Sequence, residues 1–487
     1  MLAFLGALAL LGLLMALLVW EPKTKGPRSL TVYCAAGLKA PVAAILKAYE
    51  EEFGIPVEIS YAGSGSLLAS LEISRRGDLY LPADDSYVEL AQAKGLTRES
   101  FPLALQTAVL AFPKGNPKNI KSLEDLQRPD MALAQANPEA TAVGKLTRQS
   151  LEAAGLWESV QPRIRVFKPT VNEVANDIKL GTVDAGFIWD ALLGQYPELE
   201  SAPALALTNA QARLSVCLLT SSRNPAAALR LARYMNAPTK GHQVWKDHGF
   251  DAIAGDAWAA KPKLHLLSGA MLRPAIDQTI QAFEELEGVE VIRVYNGCGI
   301  LVTQIKAGER PDAYFSCDTS FMDEVRDLFH PSEDISRNRL VIVVPKGNPR
   351  RIKTLKDLAQ PGVQVGIGHE TKGAMGALTK RMLVQDGSYE AVSKNVKVES
   401  PTGDFLINQL RTGSLDAIIA YYTNASASRD QVEIIPIDMP EAMATQPVAV
   451  GLQSNYPNLT ARLLDAIKTA DSRQSFVTNG FTWLGRE

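Results

Sequence analysis

The sequence predicts an α/β fold: two tandem copies of one two-lobed unit, preceded by a single apolar segment. Three observations predict it. A block of more than 150 residues recurs in order at a nearly constant offset. Within each copy, short β-rich runs alternate with amphipathic helical patterns. Residues 1–20 carry no charged side chain.

Met1 to Trp20 is rich in Leu, Ala and Met. About twenty apolar residues at 1.5 Å rise cross a hydrocarbon core of roughly 30 Å. The expectation is therefore one N-terminal transmembrane helix acting as a membrane anchor. The alternative is a cleaved signal segment, but its basic start and small-x-small cleavage site are not evident before Glu21. Lys23, Lys25 and Arg28 follow directly, and positive residues prefer the cytoplasm. That flank runs against an outward-facing remainder. Residues 21–29 read as a linker. No later stretch is long and apolar enough to span, so the rest is expected to be water-soluble.

The repeat comes next, because a missed repeat misassigns the fold. LTVYCAAGL begins at Leu30 and LHLLSGAML at Leu264, an offset of 234. At that offset Gly63, Gly65 and Asp78 meet Gly297, Gly299 and Asp312. PKGNP recurs at 113 and 345, an offset of 232, followed by IKSLEDL and IKTLKDL. Asp184-Ala185 then meets Asp416-Ala417. A period this long means duplicated domains, not a solenoid. The units are expected to span 30–258 and 263–487, divided by a turn near Gly255–Lys263.

Inside unit 1, LTVYCA and VEISYA read as strands. Between them lies a helix from Pro41 to Phe53 with Val42, Ile45, Leu46 and Tyr49 on one face. Asp78–Leu81 and Val109–Pro113 read as short strands, SLEDL as a Ser-capped helix, and MALAQA, DAGFIW and RLSVCLLT as later strands. Short parallel strands with crossover helices are the expectation, the middle of each unit forming the second lobe.

Composition narrows the function. Fifty Lys+Arg against 53 Asp+Glu give a net charge of −3 in 487 residues. A nucleic-acid binder needs a basic surface to displace counterions, so nucleic acid is not an expected partner. Four cysteines are too few for a disulfide scaffold, and the five histidines show no metal-motif spacing. No nucleophile elbow or phosphate-cradling loop is present, so an enzyme is not expected, and neither is a cofactor or resident metal. Asp84 and Asp318 are each followed by Ser or Thr within two residues, which points to a local turn bond rather than catalysis. Cys34 and Cys217 lie in apolar runs and read as core.

Three loops per unit lie where a strand ends and a helix begins, the place where open α/β sheets bind ligands. In unit 1 they are Ala35-Ala36-Gly37, Gly63-Ser64-Gly65-Ser66 and Thr141-Ala142-Val143-Gly144. Helix-start amides and the hydroxyls of Ser64 and Ser66 suit a small anion without adding charge. In unit 2 the candidates are Ala270, Met271, Cys298 and the segment at Gly373.

VYCAAGLKAPV, YAGSGSLLASL, the Asp of GDLYLPADDSY, FPKGNPKNIKSLEDL and GTVDAGFIWD together span most of unit 1. In these segments unit 1 resembles the molybdate-type substrate-binding proteins of ABC importers, members of the two-lobed periplasmic binding proteins. The resemblance implies a Venus-flytrap fold closing on an oxyanion such as molybdate or tungstate, an ABC permease as partner, and a periplasmic or extracytoplasmic location. In that family the first loop ends in a Ser donor, where this sequence has Gly37. The second-loop donor is kept as Ser64, and the family's Tyr falls on Trp189.

Unit 2 departs further. Cys298 replaces Ser64, and Tyr421 falls opposite Trp189 with Tyr422 beside it. A tandem Tyr resembles the ferric-ion-binding members of the same superfamily, which leaves a ferric or other metal-cation binder as an alternative. For Cys298 and Cys317 three readings stay open: a disulfide, soft thiolate ligands, or small apolar residues. A third reading of the whole chain is an extracytoplasmic sensor or scaffold.

Overall fold

The computed structural model describes residues 29–201, 207, 210–426 and 428–485. The expected anchor at Met1–Trp20 lies outside these residues. Among the described residues no helix is long and apolar enough to cross a membrane. The chain divides into two compact units between Gly255 and Asp256.

Among the described residues unit 1 carries ten strands: β1 (Leu30–Ala35), β2 (Val57–Ala62), β3 (Leu79–Leu81), β4 (Thr97–Pro113), β5 (Leu133–Ala136), β6 (Ile164–Lys168), β7 (Ala185–Trp189), β8 (Leu199–Ser201), β9 (Gln211–Leu219) and β10 (Asp251–Ala252). Their order is β2-β1-β3-β9-β4-β7-β5-β6, with β8 and β10 also paired to β4. The seventeen-residue β4 is shared by both lobes. Its first part pairs with β9 in one lobe and its last part with β7 and β8 in the other.

Unit 2 repeats this plan with β11 (Lys263–Gly269), β12 (Glu290–Asn296), β13 (Ala313–Phe315), β14 (Glu333–Pro345), β15 (Val365–Gly368), β16 (Val396–Ser400), β17 (Ala417–Tyr421), β18 (Val432–Pro436), β19 (Met443–Val450) and β20 (Thr482–Trp483). The order β12-β11-β13-β19-β14-β17-β15-β16 matches unit 1 position for position.

The expectation of short parallel strands holds only in part. β1 runs parallel to β2 and β3, and β5 to β6 and β7. The pairs β3–β9, β4–β9 and β4–β7 are antiparallel, so each sheet is mixed. Val109–Pro113 is only the end of β4, which the sequence disguises: Pro102 lies next to a register shift, where the missing amide is tolerated. SLEDL forms a 3-10 turn, Leu123–Gln127, closed by a reciprocal box between Ser122 and Asp125.

The duplicated motifs mostly build this frame. In PKGNP, Asn116 takes a left-handed φ of 46° and brackets Ile120, donating to its carbonyl and accepting from its amide, both at 2.8 Å. Asn348 does the same around Ile352 at 2.7 and 3.0 Å. Asp78 accepts from the Thr31 amide (2.9 Å) and Asp312 from the His265 amide (2.7 Å), tying β1 and β11 to their neighbours. Asp184 and Asp416 accept from the amides of Ala132 and Gln364 at 2.8 and 2.9 Å. Asp84 and Asp318 cap helices through the amides of Ser86 and Ser320, the turn role expected of them.

Candidate functional site

In unit 1 the carboxyl ends of β1, β2, β3 and β7 meet the starts of four helical segments around a cavity of about 20 Å³. The segments are Ala36–Leu38, Ser64–Ser74, Ala142–Ala153 and Val171–Lys179. The first two belong to one lobe and the last two to the other. Every lining residue is uncharged: Ala35, Ala36, Gly37, Ala62, Gly63, Ser64, Ala83, Thr141, Ala142, Val143, Thr170, Val171 and Trp189. Helix starts present unpaired amides and partial positive charge, so several of them aimed at one neutral hole favour an anion.

Ser64 has a definite polarity. Its Oγ accepts the Ala83 amide at 3.0 Å, and the residue is almost fully buried. A hydroxyl that accepts this way still has its proton to donate. Thr141 is different, because its hydroxyl donates to the Asn137 carbonyl (2.8 Å) and accepts from the Gly144 amide (3.2 Å). Its side chain is spent on capping. Thr170 likewise caps its helix, donating to Glu173 at 2.9 Å. Trp189 closes the end of β7 and is buried. A Cβ on Gly37 would lie 3.0 Å from Val171 Cγ1 and 3.4 Å from Trp189 Cδ1, so the space a first-loop Ser would use is already filled.

The expectation for Ser66 is not met. It is exposed and absent from the cavity wall, because two residues along the first turn of the helix carry it to the face opposite Ser64. The glycines of that loop answer to protein, not ligand. A Cβ on Gly63 would sit 2.4 Å from the Ala140 carbonyl, and the Gly65 amide donates to that carbonyl at 2.9 Å. The loop is pressed against the facing lobe.

Unit 2 has the equivalent cavity, also about 20 Å³, lined among others by Ala270, Met271, Asn296, Cys298, Cys317, Met375, Thr402, Asp404, Tyr421 and Asn424. Gly373 caps the helix Ala374–Asp386 against the Pro401 carbonyl and does not reach the wall. Tyr421 lines the cavity and its hydroxyl has no hydrogen-bond partner. Burial, with Cys317, Asp318 and Cys298 nearby, pushes its phenol well above the usual range. Tyr422 points elsewhere, its ring 5.2 Å from the Arg429 guanidinium, in a separate surface cavity of about 790 Å³. The two phenols therefore do not form a ferric-type pair. Successive residues leaving a strand diverge, and adjacency in sequence did not become adjacency in space. Among the described residues no three His, Cys, Asp or Glu side chains group around a common point.

Cys298 and Cys317 are buried with their sulfurs 2.7 Å apart, and the Cys317 amide donates to Cys298 Sγ at 3.1 Å. Burial is the largest influence on the Cys298 thiol and raises it, but hydrogen bonding with the Cys317 side chain and amide, Tyr314 and Ser316 together outweighs it and leaves Cys298 below its ordinary value. The bond between the two cysteine side chains and burial hold Cys317 well above. Cys34 and Cys217 are core, as expected, and burial raises both thiols.

Sequence reasoning missed Thr170 and Thr402 as wall residues. The signal was present: Pro169-Thr170 and Pro401-Thr402 recur at the same offset of 232 as PKGNP.

Known proteins resemble one unit at a time. A Haemophilus influenzae protein described as a binding protein without a stated ligand is 29% identical over 222 residues, covering 45% of this chain and 90% of its own. A protein of Mycobacterium tuberculosis named molybdate-binding protein ModA is 27% identical over 225 residues, covering 44% of this chain and 83% of its own. Among solved structures, the periplasmic molybdate-binding protein of Azotobacter vinelandii aligns at 21% identity over 46% of this chain and 98% of its own, with a TM-score of 0.40. The profile of the bacterial extracellular solute-binding proteins matches residues 30–251 and again 264–482, so the chain belongs to that family as a tandem duplication.

Proposed function

We propose that unit 1 binds a small tetrahedral oxyanion of the molybdate or tungstate kind between its lobes, and that the protein serves an ABC permease from the extracytoplasmic side. The observation that carries the reading is the uncharged cavity of about 20 Å³ on which four helical starts and the Ser64 hydroxyl converge. Its size suits one small ion: a water needs about 10–15 Å³ by this measure, whereas pockets for organic ligands run to roughly 300–1,000 Å³. Neutral donors compensate a dianion without a buried countercharge. The molybdate-binding relative supports the same class. Residues 30–258 and 263–487 are the proposed solute-binding domains, and Met1–Trp20 the proposed tether, which raises the local concentration of binder at its permease. Lobe closure about β4 is the proposed motion.

The test is thermal unfolding of the chain from residue 29 with molybdate, tungstate, sulfate, phosphate or Fe(III). Ligand at a hundred times its Kd stabilises by about 2.7 kcal/mol, a measurable shift. Molybdate and tungstate are expected to raise the unit 1 transition. No rise with any oxyanion overturns the reading.

A further inference from the structure

The two cavities share a frame but not a chemistry. At four equivalent wall positions unit 1 presents Gly37, Ser64, Ala83 and Val143, and unit 2 presents Met271, Cys298, Cys317 and Met375. Every exchange adds a sulfur, and all four sulfur-bearing residues are buried. The thiols are fitted into the existing frame. The Cys317 amide donates to Cys298 Sγ as the Ala83 amide donates to Ser64 Oγ. Room for the second thiol comes from Gly269, which stands where unit 1 has Ala35. A Cβ on Gly269 would lie 2.1 Å from Cys317 Sγ and 3.2 Å from Cys298 Sγ. Two thiols gained and one methyl lost form a matched set. The Tyr421 hydroxyl, 3% exposed and unpartnered, lines the same cavity. A buried polar group without a partner is unfavourable unless something else completes it.

We infer that the unit 2 cavity is a soft-metal site in which Cys298 and Cys317 hold one monovalent d10 cation of the copper(I) class, flanked by the thioethers of Met271 and Met375. Thiolate and thioether ligands select soft cations over hard ones and over oxyanions. Two thiolates suit a low-coordinate monovalent ion, whereas structural zinc takes four nitrogen, sulfur or oxygen ligands. Binding is metal–thiolate exchange without redox change: Cu(I) plus two thiols gives a dithiolate complex of charge −1 and releases two protons. Asp404, at the wall where unit 1 has Asn172 in sequence, adds an acidic group that suits a cation better than an anion. The inference rests on reading each cavity as a solute site, and it gives the two units different cargoes.

The experiment uses the chain from residue 29, reduced and kept anaerobic, titrated with Cu(I) in competition with a chromophoric Cu(I) chelator. One tight equivalent per chain is expected. Cys298→Ser and Cys317→Ala, which restore the unit 1 side chains, should each weaken it by more than the roughly 10–100-fold that outer-shell changes cause. Met375→Val, again the unit 1 residue, should weaken it by about 10-fold. The unit 2 thermal transition of the same variants, without metal, reports whether they fold and is expected to be retained. Cu(I) held no tighter by wild type than by the Cys298→Ser/Cys317→Ala double variant overturns the inference, as does a Cys298–Cys317 disulfide that persists in reductant. A molybdate response with no specific Cu(I) binding sinks this inference alone, while silence to both sinks the solute-site reading beneath it.

Discussion

Ser64→Ala separates two jobs that one oxygen performs. Its Oγ satisfies the buried Ala83 amide at 3.0 Å, and its proton is free for the proposed anion. Removing the oxygen leaves that amide without its acceptor, at a cost of about 1–3 kcal/mol. For a unit of this size each kcal/mol moves Tm by roughly 2–4 °C, so the unit 1 transition should fall by about 2–12 °C. The lost hydrogen bond to a charged ligand is worth about 1.5–3 kcal/mol, or roughly 10- to 150-fold in molybdate affinity. Ser64→Cys divides the effects. In unit 2 a sulfur at this position accepts the matching amide at 3.1 Å, so stability should largely survive. A thiol is a weak donor, so affinity should still drop. Calorimetric titration with molybdate, alongside unfolding curves, reads both quantities. Unchanged affinity in Ser64→Ala would refute the assignment of its hydroxyl to the anion.

The remaining predictions concern packing, ion pairing and pH. Gly37→Ser places its Cβ 3.0 Å from Val171 and 3.4 Å from Trp189, so it should destabilise unit 1 by about 1–3 kcal/mol in urea unfolding, and adding Trp189→Tyr should recover part of that. Arg462→Ala removes the bidentate partner, at 2.9 and 3.3 Å, of the buried Glu287 carboxylate, and should destabilise unit 2 by about 3–5 kcal/mol while leaving the unit 1 transition in place. The Lys353 amide, with Thr354, holds the Asp357 carboxyl below the usual range. A lowered folded pKa gives stability that is present above the unfolded value of about 3.9 and lost as pH falls through the folded one. Asp357→Asn should therefore lower the unit 2 melting temperature at pH 7 and flatten its acid limb, with variant and wild type converging at low pH.

The duplication and the lobe order were readable because period and polarity pattern survive without knowledge of contacts. β4 was not, because Pro102 and its register shifts break the β signature in the strand that joins the lobes. The most conspicuous shared motif, PKGNP, turned out to be a turn whose Asn closes on Ile120 or Ile352, so repetition marked the frame as readily as a site. Helix-start loops located the cavities because strand ends and helix starts are local signals. Side-chain direction was not local. Ser66 faces solvent two residues beyond Ser64, and Tyr422 leaves the strand on the other side from Tyr421. Gly269 had no visible meaning in sequence until the sulfur it makes room for lay beside it.

The central claim, that unit 1 holds a small oxyanion with neutral donors, is tested most directly by a crystal structure grown with tungstate, located by its anomalous signal. The account predicts one tungsten in the unit 1 cavity, within hydrogen-bonded reach of Ser64 and the amides at the starts of the Ala36, Ala142 and Val171 segments. Tungsten bound only elsewhere, or a cavity that stays empty at saturating tungstate, would contradict it.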